Sequence, residues 1–85
     1  MASYRLLIKP SSVKELEALP PKNRRRLVAR LQKLASDARP PGSEKLSGQD
    51  LYRVRQGNYR VLYSVEDLAL IILVITVGHR RDAYR

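Results

Sequence analysis

The chain has no cysteine, one histidine and only eight carboxylate side chains in 85 residues. Without cysteine there is no disulfide framework, no thiol nucleophile and no zinc–thiolate site. The lone histidine, His79, does not build a histidine-rich metal centre by itself. The acidic residues form no cluster suited to Mg²⁺, since Glu66-Asp67 reads as a turn and Asp82 stands alone. Long apolar runs are missing as well. The longest, Leu68 to Ile75, is eight residues, whereas a membrane helix needs about 20. Met1 to Pro10 carries Arg5 and Lys9 and no apolar stretch of signal-peptide length. A soluble cytoplasmic protein is expected, with no membrane partner, metal or small-molecule cofactor. The length allows one domain, residues 1–85, and no separate cofactor domain.

What the chain has in excess is positive charge. It carries 17 Lys+Arg against 8 Asp+Glu, a formal net charge of +9. Such a balance points to an anionic partner, with nucleic acid first, acidic protein second and a membrane surface third. A hydrophobic fraction of 44% is enough to fold. A domain this small is only marginally stable alone, so a partner that helps is expected.

Hydrophobic periodicity gives the elements. Tyr4 to Ile8 reads as a short strand. Ser12-Val13-Lys14-Glu15 fits a capping box, with Ser12 as N-cap and Glu15 at N3. A short helix follows, with Val13, Leu16 and Leu19 facing inward. Pro20-Pro21 stops it, and a second helix starts near Pro21 or Lys22. Leu27, Val28, Leu31, Leu34 and Ala35 then form one apolar stripe at helical period, opposite a basic face. Pro40-Pro41-Gly42 ends that helix, and a loop runs from Gly42 to Gln49. Leu51 to Gln56 and Tyr59 to Val65 alternate around Gly57-Asn58, a hairpin with a two-residue turn. Leu70 to Val77 is apolar on both sides and suits a central strand covered on both faces. The expected fold class is α+β: an N-terminal strand, a two-helix hairpin, then a three-stranded antiparallel meander, with the helices on one face of the sheet.

The hairpin carries the chemistry. With Gly57 and Asn58 as the loop, Arg55 pairs with Arg60, Val54 with Val61 and Tyr52 with Tyr63. Tyr52, Val54, Val61 and Tyr63 then share the face that meets the helices, and Arg53, Arg55 and Arg60 share the other. Like charges directly opposite each other cost a few tenths of a kcal/mol up to ~1 kcal/mol. A solvated face with arginine stems over apolar neighbours would look the same. A phosphate cradle is the functional alternative, because guanidinium groups bind phosphate through paired hydrogen bonds. His79, Arg80, Arg81, Tyr84 and Arg85 follow the last strand and can reach the same face.

That set suits RNA cleavage without a metal. The 2′-hydroxyl attacks the adjacent phosphorus once its proton is taken, and the leaving 5′-oxygen needs a proton. Arginines stabilise the charge growing on the phosphoryl oxygens. Histidine titrates near neutrality, and tyrosine stacks on a base or handles a proton. The run Arg24-Arg25-Arg26 at the second helix's start is either a solvated face or a dock for nucleic-acid backbone.

Leu51-Tyr52-Arg53-Val54-Arg55, Gly57-Asn58-Tyr59-Arg60-Val61-Leu62-Tyr63 and Val77-Gly78-His79-Arg80-Arg81 with Tyr84 resemble the RelE/ParE toxin superfamily, and its RelE branch more closely. The resemblance extends to the opening strand, the paired helices and Lys45-Leu46-Ser47-Gly48. It implies a toxin of a type II toxin–antitoxin pair that enters the ribosomal A site and cuts mRNA there. The implied catalytic residues are Arg53, Arg55, Arg60, Arg80 and Tyr84, joined by His79. Arg24, Arg25, Arg26, Lys45 and Arg81 are the candidate RNA- or ribosome-binding residues. The best-known RelE pattern has lysines where Arg53 and Arg55 stand. Arginine stays charged, so these two suit charge stabilisation, and His79 and Tyr84 are left as acid and base in unassigned order. The resemblance also implies an antitoxin partner, the ribosome and mRNA. A ParE-like DNA gyrase inhibitor, or a non-cleaving RNA binder, remains open on the same fold.

Overall fold

Alternating side chains in the N-terminal strand and in the hairpin, with two amphipathic helices between, produce one sheet with one helical layer. The computed structural model describes residues 3–46, 48 and 50–79, with the side chain of His79 outside that set. The order is β1 (Arg5–Ile8), α1 (Pro10–Glu17), α2 (Pro21–Leu34), β2 (Glu44–Lys45), β3 (Leu51–Gln56), β4 (Tyr59–Glu66) and β5 (Ile71–His79). The sheet runs β1-β5-β4-β3-β2. β1 lies parallel to β5, and the other neighbours are antiparallel. The α+β expectation holds, with one strand added: β2, whose two residues leave no periodic trace in the sequence. None of the described helices is long and apolar enough to cross a membrane.

The first helix departs from expectation at its start. Pro10 occupies its first turn, where a missing N–H costs nothing, and no side chain caps the end. The Ser12–Glu15 capping box therefore does not form. Starting at Pro10 turns Ser12 and Leu16 inward, both buried, and leaves Val13 39% exposed instead of facing the core. Glu15 accepts a hydrogen bond from the backbone N–H of Val77 at 3.0 Å. The second helix starts at Pro21 as expected and buries Leu27, Leu31 and Leu34 completely. Each contributes about 1.5–3 kcal/mol relative to exposure. It ends at Leu34, short of Pro40-Pro41-Gly42, and the chain turns so that Ala38 joins the core.

The hairpin register is the expected one, from Leu51↔Ser64 to Gln56↔Tyr59. Val54, Val61 and Tyr63 are fully buried against the helices, with Tyr52 partly buried beside them. In β5 the pairs Leu62↔Thr76 and Tyr63↔Val74 leave Ile75 as an extra residue, a β-bulge. Ile72, Val74 and Val77 consequently all reach the core. The opposite face of β5 is not buried: Ile71, Leu73 and Ile75 are half-buried, so β5 is covered fully on one face only.

A chain of contacts ties the turns to the core. The Tyr63 hydroxyl donates to the Ala38 carbonyl at 2.8 Å, and burial pushes its pKa up. Tyr52 stacks on Tyr63 with centroids 5.8 Å apart. Arg39 lies over the Tyr52 ring at 5.1 Å and donates from Nε to the Tyr52 hydroxyl at 2.9 Å. The same guanidinium grips Asp67 at 3.2 and 2.9 Å, and the Tyr4 hydroxyl donates to Asp67 at 2.6 Å. The hydrogen bond from Arg39 first, and that from Tyr4 second, hold the Asp67 carboxyl below its ordinary value. The hydrogen bond to Asp67 in turn raises the pKa of Tyr4.

Tyr63→Phe should lower stability by about 1–3 kcal/mol, because it leaves the Ala38 carbonyl without this donor. Ser12→Ala should do the opposite in the same thermal melts, since the buried Ser12 hydroxyl has no hydrogen-bond partner among the described residues. The pH dependence follows from Asp67. Its folded pKa is depressed, so its contribution is present above the unfolded value of 3.8 and lost as pH falls through the folded one. The stability gap between wild type and Asp67→Asn should be full at neutral pH and close below about pH 4, as read by urea melts.

Candidate nucleic-acid interface

Gly57 makes the tight hairpin possible. Its φ of 60° lies in the left-handed region, while Asn58 has no positive φ, the pattern of a two-residue turn with glycine first. The turn fixes the rungs behind it. Arg55 and Arg60 stand directly opposite each other, and Arg53 stands opposite Leu62. Alternation places all three arginines on the face that the helices leave open. Arg53 is far more enclosed than Arg55, its side chain 12% exposed against 54%.

The feature the sequence did not disclose is Glu44. β2 pairs Glu44 with Arg53, and Arg53 Nη2 donates to Glu44 Oε2 at 2.7 Å. The other carboxylate oxygen lies 3.8 Å from Arg55 Nη2. One carboxylate therefore meets two arginines that would otherwise repel each other. No local pattern marks a two-residue strand, and only the cross-strand register brings this residue to the arginine face.

The remaining candidates separate into groups. Lys45 pairs with Tyr52 and so takes the register of the helix side, away from Arg53. Arg24, Arg25 and Arg26 lie in the first two turns of α2, in the layer across the sheet from Arg53, Arg55 and Arg60. Arg24 Nη1 donates to the Glu17 carbonyl at 3.3 Å, at the α1–α2 corner, while Arg25 and Arg26 are exposed. His79 closes β5, where its backbone pairs with Tyr59 and that of Gly78 with Arg60. The His79 side chain, Arg80, Arg81 and Tyr84 lie outside the described residues.

A helical layer on one side and an arginine row on the other define a small basic α+β domain equipped to meet an anion. Residues 6–84 match the family described as the ParE toxin of the type II toxin–antitoxin system, parDE. The chain belongs to this family, within the RelE/ParE superfamily and on its RelE-like branch. It is thus a toxin of a type II toxin–antitoxin system. The fold is similar to RelE in the archaeal RelE–RelB complex from Pyrococcus horikoshii, at 32% identity and a TM-score of 0.81 over 95% of this chain and 99% of that one. Isolated Escherichia coli RelE toxin is similar at 29% identity and a TM-score of 0.80, over 91% of this chain and 84% of that one. The intact E. coli RelBE toxin–antitoxin complex gives 28% identity and a TM-score of 0.80, over 91% and 96%. No curated protein sequence matches the chain.

Glu44→Ala should lower the melting temperature by leaving Arg53 and Arg55 to repel each other. The loss should be largest in low salt and shrink near 1 M NaCl, where the screening length is about 3 Å. A salt-independent loss would mean that Glu44 acts through packing alone.

Proposed function

We propose that this toxin is a ribosome-dependent endoribonuclease, an mRNA interferase that cuts in the A site, inhibits translation and arrests growth in the cytoplasm. The observation that carries this reading is the Arg55↔Arg60 rung beside Arg53 and Glu44. Like charges on one rung weaken a sheet, and a site that must gather charge on a phosphate gives them a use. The comparisons support the toxin class, and the RelE structures support the branch.

In this mechanism the scissile phosphate lies over the arginine face. Arg55 and Arg60, with Arg53 behind them, stabilise the charge that grows on the non-bridging oxygens. A general base takes the proton from the 2′-hydroxyl, whose oxygen then bonds to phosphorus. The bond from phosphorus to the 5′-oxygen breaks, giving a 2′,3′-cyclic phosphate, and a general acid protonates the leaving oxygen. Arginine stays protonated and fills neither role. Glu44 is the carboxylate placed beside Arg53 and Arg55, which makes it a candidate base. His79 and Tyr84 are the other proton-handling candidates, and Arg80 adds positive charge. Arg24, Arg25, Arg26, Lys45 and Arg81 are assigned to docking on ribosome or RNA backbone. The partner that restrains the toxin is an antitoxin, as RelB partners the similar RelE chains. A charge of +9 favours an acidic one and speeds its docking.

The name of the matching family favours a second reading, a ParE-like inhibitor of DNA gyrase. Primer extension on a cellular mRNA after brief induction separates the two. New 5′ ends at codon-phased positions are expected for wild type. Arg55→Ala/Arg60→Ala should reduce them by at least about 100-fold, the typical effect of removing charge-stabilising donors. Glu44→Gln should also slow cutting while keeping the fold. Growth arrest with intact mRNA would overturn the nuclease reading and leave gyrase as the target.

A further inference from the structure

A hollow of about 260 Å³ opens at the tip of the β3–β4 hairpin, walled by Asn23, Arg26, Gln56, Gly57, Asn58 and Tyr59. It lies one rung beyond Arg55↔Arg60, because Gln56 pairs with Tyr59. Alternation turns Gln56 and Tyr59 to the helix side, so the hollow and the arginine row occupy opposite faces of the same hairpin end. The first turns of α2 supply the second wall. Asn23 Nδ2 donates to the Tyr59 hydroxyl at 3.2 Å and braces α2 against β4.

We infer that this hollow is a nucleobase pocket that receives one unstacked base of single-stranded RNA. Three of its six residues carry carboxamides, Asn23, Gln56 and Asn58, and none carries a carboxylate. A carboxamide offers a donor and an acceptor side by side, the pattern presented by base edges. Tyr59 adds an aromatic ring, and Arg26 is the single cation. A pocket for phosphate alone would gather several cations, as the arginine face does. The volume falls below the about 300 Å³ at which drug-sized pockets begin, which suits a single base. Sequence-specific recognition of RNA works mainly on unstacked bases of single strands. A strand held by its phosphate on Arg55 and Arg60 would pass around the Gly57–Asn58 turn to present a base here, since the two sites lie on opposite faces of the hairpin end. The inference rests on the RNA-directed reading of the arginine face and adds where base preference arises.

The test uses the isolated, isotope-labelled toxin titrated with AMP, GMP, CMP, UMP and, as a base-free control, ribose 5-phosphate. Amide resonances of Asn23, Gln56, Asn58 and Gly57 report binding by NMR. At least one nucleotide should give saturable shifts there, and ribose 5-phosphate should not. Gln56→Ala/Asn58→Ala should weaken that binding at least about 5-fold, the lower bound for losing a paired base contact. Asn58→Ala alone is the fallback if the double variant folds poorly, since Asn58 has no positive φ for alanine to strain. Equal shifts with ribose 5-phosphate would make this a phosphate site and overturn the proposal, as would silence with all four nucleotides. On programmed ribosomes the same variant should still cut, with a flatter distribution over codons. An unchanged distribution would remove the pocket from specificity. If wild type cuts nothing, the nuclease reading fails, and the titration still decides the pocket.

Discussion

The C-terminal half of the sheet depends on one extra residue in β5. Ile75 stands between the pairs Tyr63↔Val74 and Leu62↔Thr76, and every side chain after it changes face. In an unbroken period-2 strand Ile72 and Val74 would be followed in the core by Thr76 and Gly78. The bulge puts Val77 there instead, 2% exposed. The difference is a buried valine, worth about 1.5–3 kcal/mol, against a buried hydroxyl in need of a partner. The same slip aligns Gly78 with Arg60 and His79 with Tyr59. Core packing by β5 and the placement of Gly78 and His79 beside the hairpin are therefore set by one backbone irregularity.

That slip also needs a partner for the edge it exposes. β1 pairs with β5 only from Ile71 to Val74. The Lys9 N–H, just before α1, donates to the Val74 carbonyl, and past that point α1 takes over, with Glu15 accepting from the Val77 N–H. A buried backbone donor left unpaired costs about 1–3 kcal/mol, so the carboxylate serves β5 better than it would serve its own helix end. The burial of Ser12 follows from the same placement, because an α1 begun at Pro10 carries Ser12 and Leu16 inward together.

These facts explain which parts of the fold are legible in sequence. The hairpin is legible residue by residue, since Gly57-Asn58 fixes the turn and Val54, Val61 and Tyr63 alternate with Arg53, Arg55, Arg60 and Leu62. α2 is legible because Leu27, Leu31 and Leu34 repeat at helical period. The capping box misleads because its Glu15 has a partner 62 positions away, which no local pattern encodes. The bulge is invisible because Ile71 to Ile75 is apolar throughout, and a continuous run carries no mark of parity. Glu44 is invisible because its meaning comes only from standing opposite Arg53. Within the candidate site, then, the shared face of the three arginines is readable and the carboxylate that meets two of them is not.

The helices cover one face of the sheet, and this asymmetry lets the other bear charge. Three arginines packed between two apolar layers would face a desolvation cost of several kcal/mol per ion. On the open face Arg55 stays 54% exposed, and the more enclosed Arg53 is met by one carboxylate that offsets part of the repulsion. Glu44 is itself half exposed, 53%, so under the proposed nuclease reading an arriving phosphate would compete with it for guanidinium groups already oriented by the sheet. Competition of this kind would set a threshold. A monoanion would gain little over the resident carboxylate, whereas a polyanion would also bring further phosphates to the other basic groups of the domain. A fold alone does not separate nucleases from inhibitors. The separation lies in whether the carboxylate, once displaced from Arg53, meets a ribose hydroxyl or only solvent.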